Sequence, residues 1–207
     1  MSNDPHRTGA DFSPTLKVAP AILVEFMKLI QDIGGAHYYA MLGLWKERRE
    51  IEALIAAKPI IAGRTTWIAA GPPEEQPARV YLSWPTQELV YEKLGRDGAF
   101  SIQLSNAWVT GLFSAWESKF RKEIGRVLGL GGAEELSCDE MGDLRLMRND
   151  ILHNRSIASR EHTGRCRSLR WFEQGQQIRV DTSQVYEFHK KIGPQIGQWT
   201  LEAVASQ

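Results

Sequence analysis

Between Asp143 and Ala158 the chain reads DLRLMRNDILHNRSIA, which crowds Arg145, Arg148, Asn149, Asp150, His153, Asn154 and Arg155 into a short span. Histidine titrates at about pH 6.5, so an imidazole here can take a proton from a ribose 2′-hydroxyl or deliver one to a leaving 5′-oxygen. Arginine stays charged and offers a planar fork to phosphate oxygens, which suits it to hold a scissile phosphate and its developing charge. Asparagine can fix a histidine tautomer or contact the phosphate. The set points to phosphodiester chemistry on RNA, with the internal 2′-hydroxyl as nucleophile and no metal required.

A helix would present these side chains. Leu144, Met147, Ile151 and Leu152 supply an apolar backing, and residues four apart share a face, so Arg145, Asn149 and His153 form one polar ladder. Arg148 lies about 140° from His153 by helical pitch, and one helix does not aim both at a single point unless it frays or bends. A second copy across a twofold axis would bring two arginines and two histidines to one cleft, so a homodimer is expected. Arg145 suits a phosphate or interface contact, or a surface ion pair. Asp150 suits an arginine across the dimer, or a local pairing with Arg145 or Asn154. Glu117, beside Trp116 on the preceding helical stretch, is placed to brace a motif arginine or to pair with Arg121 four residues on.

RNDILH resembles the signature of HEPN domains, helical modules named for their presence in higher eukaryotes and prokaryotes and for nucleotide binding. That signature is an arginine and a histidine separated by four to six residues, the first of which is often polar. Arg148, Asn149 and His153 match it. The stretch NAWVTGLFSAWESKFR is similar to the aromatic helix that precedes the motif in bacterial members, so the resemblance covers roughly residues 100–157. It implies a helical bundle that dimerises and cuts RNA without metal, with Arg148 and His153 of both subunits in the cleft and a 2′,3′-cyclic phosphate or 3′-phosphate on one product. Such domains are often toxins or antiviral-defence effectors, with an antitoxin or defence-system protein as partner. One departure is plain: members silenced by AMP transfer carry a tyrosine two residues after the histidine, and here that residue is Arg155. Regulation by AMP transfer is therefore not carried over. The alternative is a non-catalytic module that binds RNA, nucleotide or protein.

Downstream of the motif, Arg155, Arg160, Arg165, Arg167, Arg170 and Arg179 face only Glu161 and Glu173 as acids. Such a flank would attract RNA, with Arg155, Arg165, Arg167 and Arg170 as contacts and Trp171 and Phe172 as stacking platforms. Equally, the arginines could line the solvent side of a hairpin whose aromatics cover the bundle. The chain as a whole is neutral, with 25 basic and 25 acidic residues, so any pull on nucleic acid is local. Cys138 and Cys166 form no CxxC or histidine cluster, which argues against a disulfide framework or zinc site and for a reducing, cytosolic setting with no cofactor. No apolar run approaches the roughly twenty residues of a membrane span, and no membrane partner is expected. His6, His37, His162 and His189 lack the company that His153 has.

The surrounding elements must position this helix. Residues 1–19 read as a loose polar tail and 20–207 as a single domain. PAILVEFMKLIQDIGG predicts a helix ended by Gly34-Gly35, followed by a second from His37 to about Ala57 with Tyr38, Met41, Leu42, Trp45, Ile51 and Leu54 inward. Residues 60–84 predict a hairpin or ordered loop around GPPEEQP. Thr86 is placed to cap a short helix, and the longest helical pattern runs from about Phe100 to Leu128, stopped by Gly129 to Gly132. Asp139 or Ser137 opens the motif helix. GRCRSLRWFEQGQQIRV predicts two strands joined at Glu173–Gly175, and Asp181-Thr182-Ser183 caps a last helix reaching about Val204. The fold class is mainly α, a HEPN-like helical bundle with one or two small β-hairpins.

Overall fold

In the computed structural model, which describes residues 19–70 and 79–206, a single helix α1 spans Ala21–Ala57. Gly34 and Gly35 do not end it. Gly34 is an interior contact point: a Cβ there would stand 2.5 Å from Nε2 of His189 on the last helix, so glycine lets the two helices close. An unbroken α1 keeps the phase set by Phe26 and Ile30. That phase buries Gly34, His37 and Met41 and turns Tyr38 and Leu54 outward, against the expectation that both face the core.

Next comes one antiparallel hairpin, β1 (Thr65–Ala70) and β2 (Arg79–Pro85), with Thr65 opposite Pro85 and a register irregularity at Ile68/Ala69. The proline-rich turn falls outside the described residues. Thr86 does not cap the helix that follows, because its hydroxyl donates to the Arg64 carbonyl at 2.8 Å and meets the Thr66 hydroxyl at 2.9 Å. It ties the hairpin base to α2 (Thr86–Glu88), which runs on as a π-helical turn, Leu89–Lys93. Ile51, Leu89, Val90 and Leu94 form a small core beneath it.

Helix α3 (Ala99–Ala115), a π-helical turn (Trp116–Phe120) and α4 (Arg121–Val127) form one continuous rod. Gly129, at φ +72°, stops it, and Leu130 N–H donates to the Gly125 carbonyl at 2.9 Å. The motif helix α5 spans Asp139–His153, so Asp139 opens it; Cys138 occupies the capping position and makes no side-chain capping bond. A short helix α6 (Arg160–Arg165) follows, capped by the Ser159 hydroxyl. The last helix, α7 (Thr182–Ala205), opens on the expected Asp181, in a capping box with Gln184. The fold is mainly α with one two-stranded sheet among the described residues.

The second hairpin is not formed. Part of its sequence becomes α6, and the rest is extended chain with a turn at Glu173–Gln176 and one isolated bridge, Ile157 to Gln177. Its backbone donors go elsewhere: Val180 N–H to the Ser105 hydroxyl, Ile178 N–H to the Ser156 carbonyl, and three more to a carboxylate described below.

Packing runs α1 on α3 and α7, and α3 on α5. Phe26 lies 5.3 Å from Trp116 and 4.9 Å from Phe120, Trp116 stacks on Trp199, and Trp108 meets Phe188 edge-on. These aromatics form the centre of a core that also takes in Leu144 and Met147 of α5. No described helix is long and apolar enough to cross a membrane.

Burial lowers the pKa of His37, His162 and His189 below the ordinary imidazole value. Each ring is thus neutral in the fold but free to protonate in the unfolded chain at about pH 6.5. Below that pH the unfolded state binds more protons, so stability falls as pH falls, by up to about 1.4 kcal/mol per pH unit for each ring. The denaturant midpoint should therefore be lower at pH 5.5 than at pH 7.5; an equal or higher midpoint at pH 5.5 would contradict neutral burial of these rings.

A candidate active site on the exposed face of α5

Helix α5 divides cleanly by periodicity. Met141, Leu144, Leu146 and Met147 are buried together with Asp143 and Asp150, whereas Arg145, Asn149, Leu152 and His153 are exposed and Arg148 is half-buried. Leu152, expected among the apolar backing, is 53% exposed and adjoins His153. Arg148 Nη1 donates to Asn149 Oδ1 at 3.2 Å, so Asn149 orients the arginine. Among the described residues Arg145, Arg148 and His153 have no carboxylate partner. His153 is also the exposed histidine of the four described, since His37 and His162 are buried and His189 is half-buried.

The chain leaves His153 through a strained turn. Arg155 and Ser156 have φ of 52° and 61°, a left-handed conformation that costs non-glycine residues about 1–2 kcal/mol each. Ser156 is buried, and its surroundings impose the geometry. Its N–H donates to the Asp150 carbonyl at 3.1 Å, and its carbonyl accepts from Ile178 N–H at 2.7 Å and from Gln177 Nε2 at 2.9 Å. Its hydroxyl stands 3.0 Å from Nδ2 and 3.2 Å from Oδ1 of Asn106 on α3.

Asp150 does not reach an arginine, Arg145 or Asn154 through its side chain. Its carboxylate points inward, accepting Ser159 N–H at 2.9 Å and facing His162 Nδ1 at 3.0 Å. Burial outweighs the pull of that carboxylate on the ring, so His162 is held neutral and Nδ1–H donates. Two turns earlier, buried Asp143 accepts three backbone donors: Arg167 N–H at 3.0 Å, Ser168 N–H at 2.7 Å and Leu169 N–H at 2.6 Å. Here is the physical reason that 166–169 makes no strand: the carboxylate takes the donors a ladder would use. Asp143, Ser156, Asn106 and His162 were not singled out as a supporting set by the sequence. The available signal was the phase of the helix, which puts Asp143 and Asp150 seven residues apart on the side of Leu144 and Met147.

A second feature lies along the first half of α5. A hollow of about 270 Å³ gathers Glu117 from the π-helical turn, Arg121, Arg145, Arg165 and Arg167. Glu117 forms no ion pair there, neither with Arg121 nor with a motif arginine. Arg121 donates instead to the Glu134 carbonyl at 3.3 Å, Arg167 pairs with Asp139 at 3.2 Å, and Arg165 pairs with Glu161. Arg148, Asn149 and His153 do not line this hollow. Nor does Arg170, whose Nε donates to the Cys166 carbonyl at 3.3 Å, nor exposed Arg155. The basic flank is thereby thinned, because Arg179 also pairs with Asp97 at 2.8 Å; Arg155, Arg160 and Arg170 keep no acid partner among the described residues. Burial pushes the thiols of Cys138 and Cys166 up to about 12, so neither is a nucleophile near neutral pH.

Comparison with known proteins found no matching family model, no similar curated protein and no similar solved structure. The site therefore rests on its own geometry, and two substitutions test its scaffold. Asp143→Ala strands three backbone donors at roughly 1 kcal/mol or more each, so unfolding should show a loss of about 3 kcal/mol or more. Arg155→Gly should raise stability by up to about 1 kcal/mol by relieving the left-handed strain, read as a higher denaturant midpoint. A fall in that midpoint would show that the arginine side chain itself holds the turn.

Proposed function

We propose that this chain is a metal-independent endoribonuclease that works as a homodimer, in the role of a toxin or antiviral-defence effector. The observation that carries the reading is the state of the motif side chains. Arg148 is steadied by Asn149 yet not neutralised by any described carboxylate, and His153, five residues on, is exposed. A helix whose polar residues served only the fold would pair its cations or bury its imidazole, as this chain does with His162.

In the reaction, His153 accepts the proton of a ribose 2′-hydroxyl as its oxygen attacks the adjacent phosphorus. Arg148 donates to the non-bridging oxygens as charge grows on them. The bond to the 5′-oxygen breaks, and the partner's His153 delivers a proton to that oxygen. The products are a 2′,3′-cyclic phosphate and a 5′-hydroxyl. Two copies are needed because Arg148 and His153 diverge by about 140° on one helix. Exposed Leu152 beside His153 supports an apolar contact on the twofold face. The resemblance of RNDILH to the HEPN signature agrees with this assignment. The same divergence favours a second reading, in which the chain binds RNA, nucleotide or a protein partner without cutting.

Cleavage of several RNA pools in excess EDTA decides between them, with wild type beside His153→Ala and Arg148→Ala and dimerisation followed by light scattering. Cyclic-phosphate ends should appear with wild type, and His153→Ala should lose about a hundred- to ten-thousandfold in rate while remaining dimeric. Folded wild-type dimers that leave every pool uncut would replace the nuclease by the binding module.

A further inference from the structure

The hollow of about 270 Å³ along the first half of α5 gathers guanidinium groups from separate elements: Arg121 from α4, Arg145 from α5, Arg165 from α6 and Arg167 just beyond it. Buried Phe113, Trp116 and Met141 supply apolar walls. Charges set against a low-dielectric wall are screened less than charges standing in water, and a cleft of this kind concentrates the field of its cations.

These arginines keep most of their donors. Arg145 is exposed and makes no hydrogen bond or ion pair among the described residues, and Arg121 uses one Nη on the Glu134 carbonyl at 3.3 Å. Arg165 and Arg167 each commit Nη1 to a carboxylate, Glu161 and Asp139, and leave Nε and Nη2 without a bond. The acids of the lining are less free. Asp143 is buried and filled by three backbone donors, the Glu134 carboxylate folds back over Gly132, and Asp139 holds Arg167. Glu117, on the π-helical turn, stands exposed without a partner. Arg121 and Arg145, which have no carboxylate partner, thus outnumber the one free carboxylate.

Guanidinium groups that converge with unused N–H edges suit a ligand with several acceptor oxygens around one centre, and a phosphodiester is such a ligand. Its place along a strand follows from the helix. Arg145 precedes His153 by eight residues on the same exposed ladder, an axial distance of about 12 Å. At the roughly 3.4 Å per nucleotide of a stacked strand this spans three or four nucleotides, and fewer when the strand is stretched. We infer that the hollow is a second phosphate subsite for single-stranded RNA, holding a backbone phosphate about two to four nucleotides from the scissile one. The inference rests on the ribonuclease reading. Arg145 and Arg121 hold the phosphate, Arg165 and Arg167 draw the strand in from the rim, and Glu117 opposes its entry.

Binding and cleavage test it separately. Single-stranded RNAs of about three nucleotides, too short to reach both places, and of about nine would be titrated by fluorescence anisotropy against His153→Ala protein over a range of salt. The longer RNA should bind about tenfold tighter or more. Arg145→Ala should remove most of that gain and lower the salt slope by about 0.7, whereas Glu117→Gln should enlarge the gain. Both side chains are exposed and unpartnered, so neither replacement disturbs the fold. No binding, no gain on lengthening, a gain that survives Arg145→Ala, or an equal enlargement by Glu47→Gln on distant α1 overturns the subsite. Wild-type cleavage of the same RNAs then separates the two ideas. A length gain that depends on Arg145, without cleavage, upholds the subsite and removes the nuclease; cleavage whose KM ignores length upholds the nuclease and removes the subsite.

Discussion

Two buried carboxylates on α5 hold the functional end of this molecule together. Asp143 gathers the backbone of 167–169, and Asp150 gathers Ser159 and His162. A buried carboxylate is unfavourable unless its lone pairs are filled, and charge-assisted bonds from backbone N–H groups are among the stronger ways to fill them. The arrangement works in both directions. The anions need the donors, and a strandless segment needs acceptors. The chain from Ser159 to Leu169, including α6, is thereby folded back against the inner face of α5.

That anchoring frees the outer face. Because the two aspartates and the aliphatic residues take one side of the helix, Arg145, Arg148, Asn149 and His153 are left on or near the other with no structural duty that the packing requires. The left-handed turn at Arg155 and Ser156 is the local consequence. Four hydrogen-bonding partners of Ser156 outweigh the strain and set the direction in which the chain departs from His153. Rigid support behind and open polar groups in front is the arrangement that positioned chemistry requires.

The same contrast separates the histidines. His37, His162 and His189 are enclosed between helices, neutral and committed to packing, while His153 is left at the exposed end of α5. Sequence alone ranked His153 above the others through its company of Arg148 and Asn149, and the fold separates them by exposure. Asp150 shows the limit of that reasoning. Its neighbours in sequence suggested an arginine partner, yet helical phase turned it to the core and to a residue twelve positions away.

What the sequence determined by itself is what depends on near neighbours. The apolar period of the long helical rod, the Asp181 capping box, the stop at Gly129 and the β-prone pieces of the hairpin are all decided within a few residues, and each formed where its pattern lay. Tertiary structure decided the rest, because the deciding partner lies far along the chain. Gly34-Gly35 reads as a helix end until α7, some 150 residues later, packs so tightly that Gly34 is needed inside the helix. The 166–180 segment reads as strands until Asp143, Ser105 and Ser156 claim its backbone donors. Arg179 reads as a free surface charge until Asp97, 82 residues earlier in the chain, meets it at 2.8 Å. Local preferences amount to tenths of a kcal/mol per residue, whereas an unpaired buried donor or acceptor costs one or more, so where the two conflicted the distant partner prevailed.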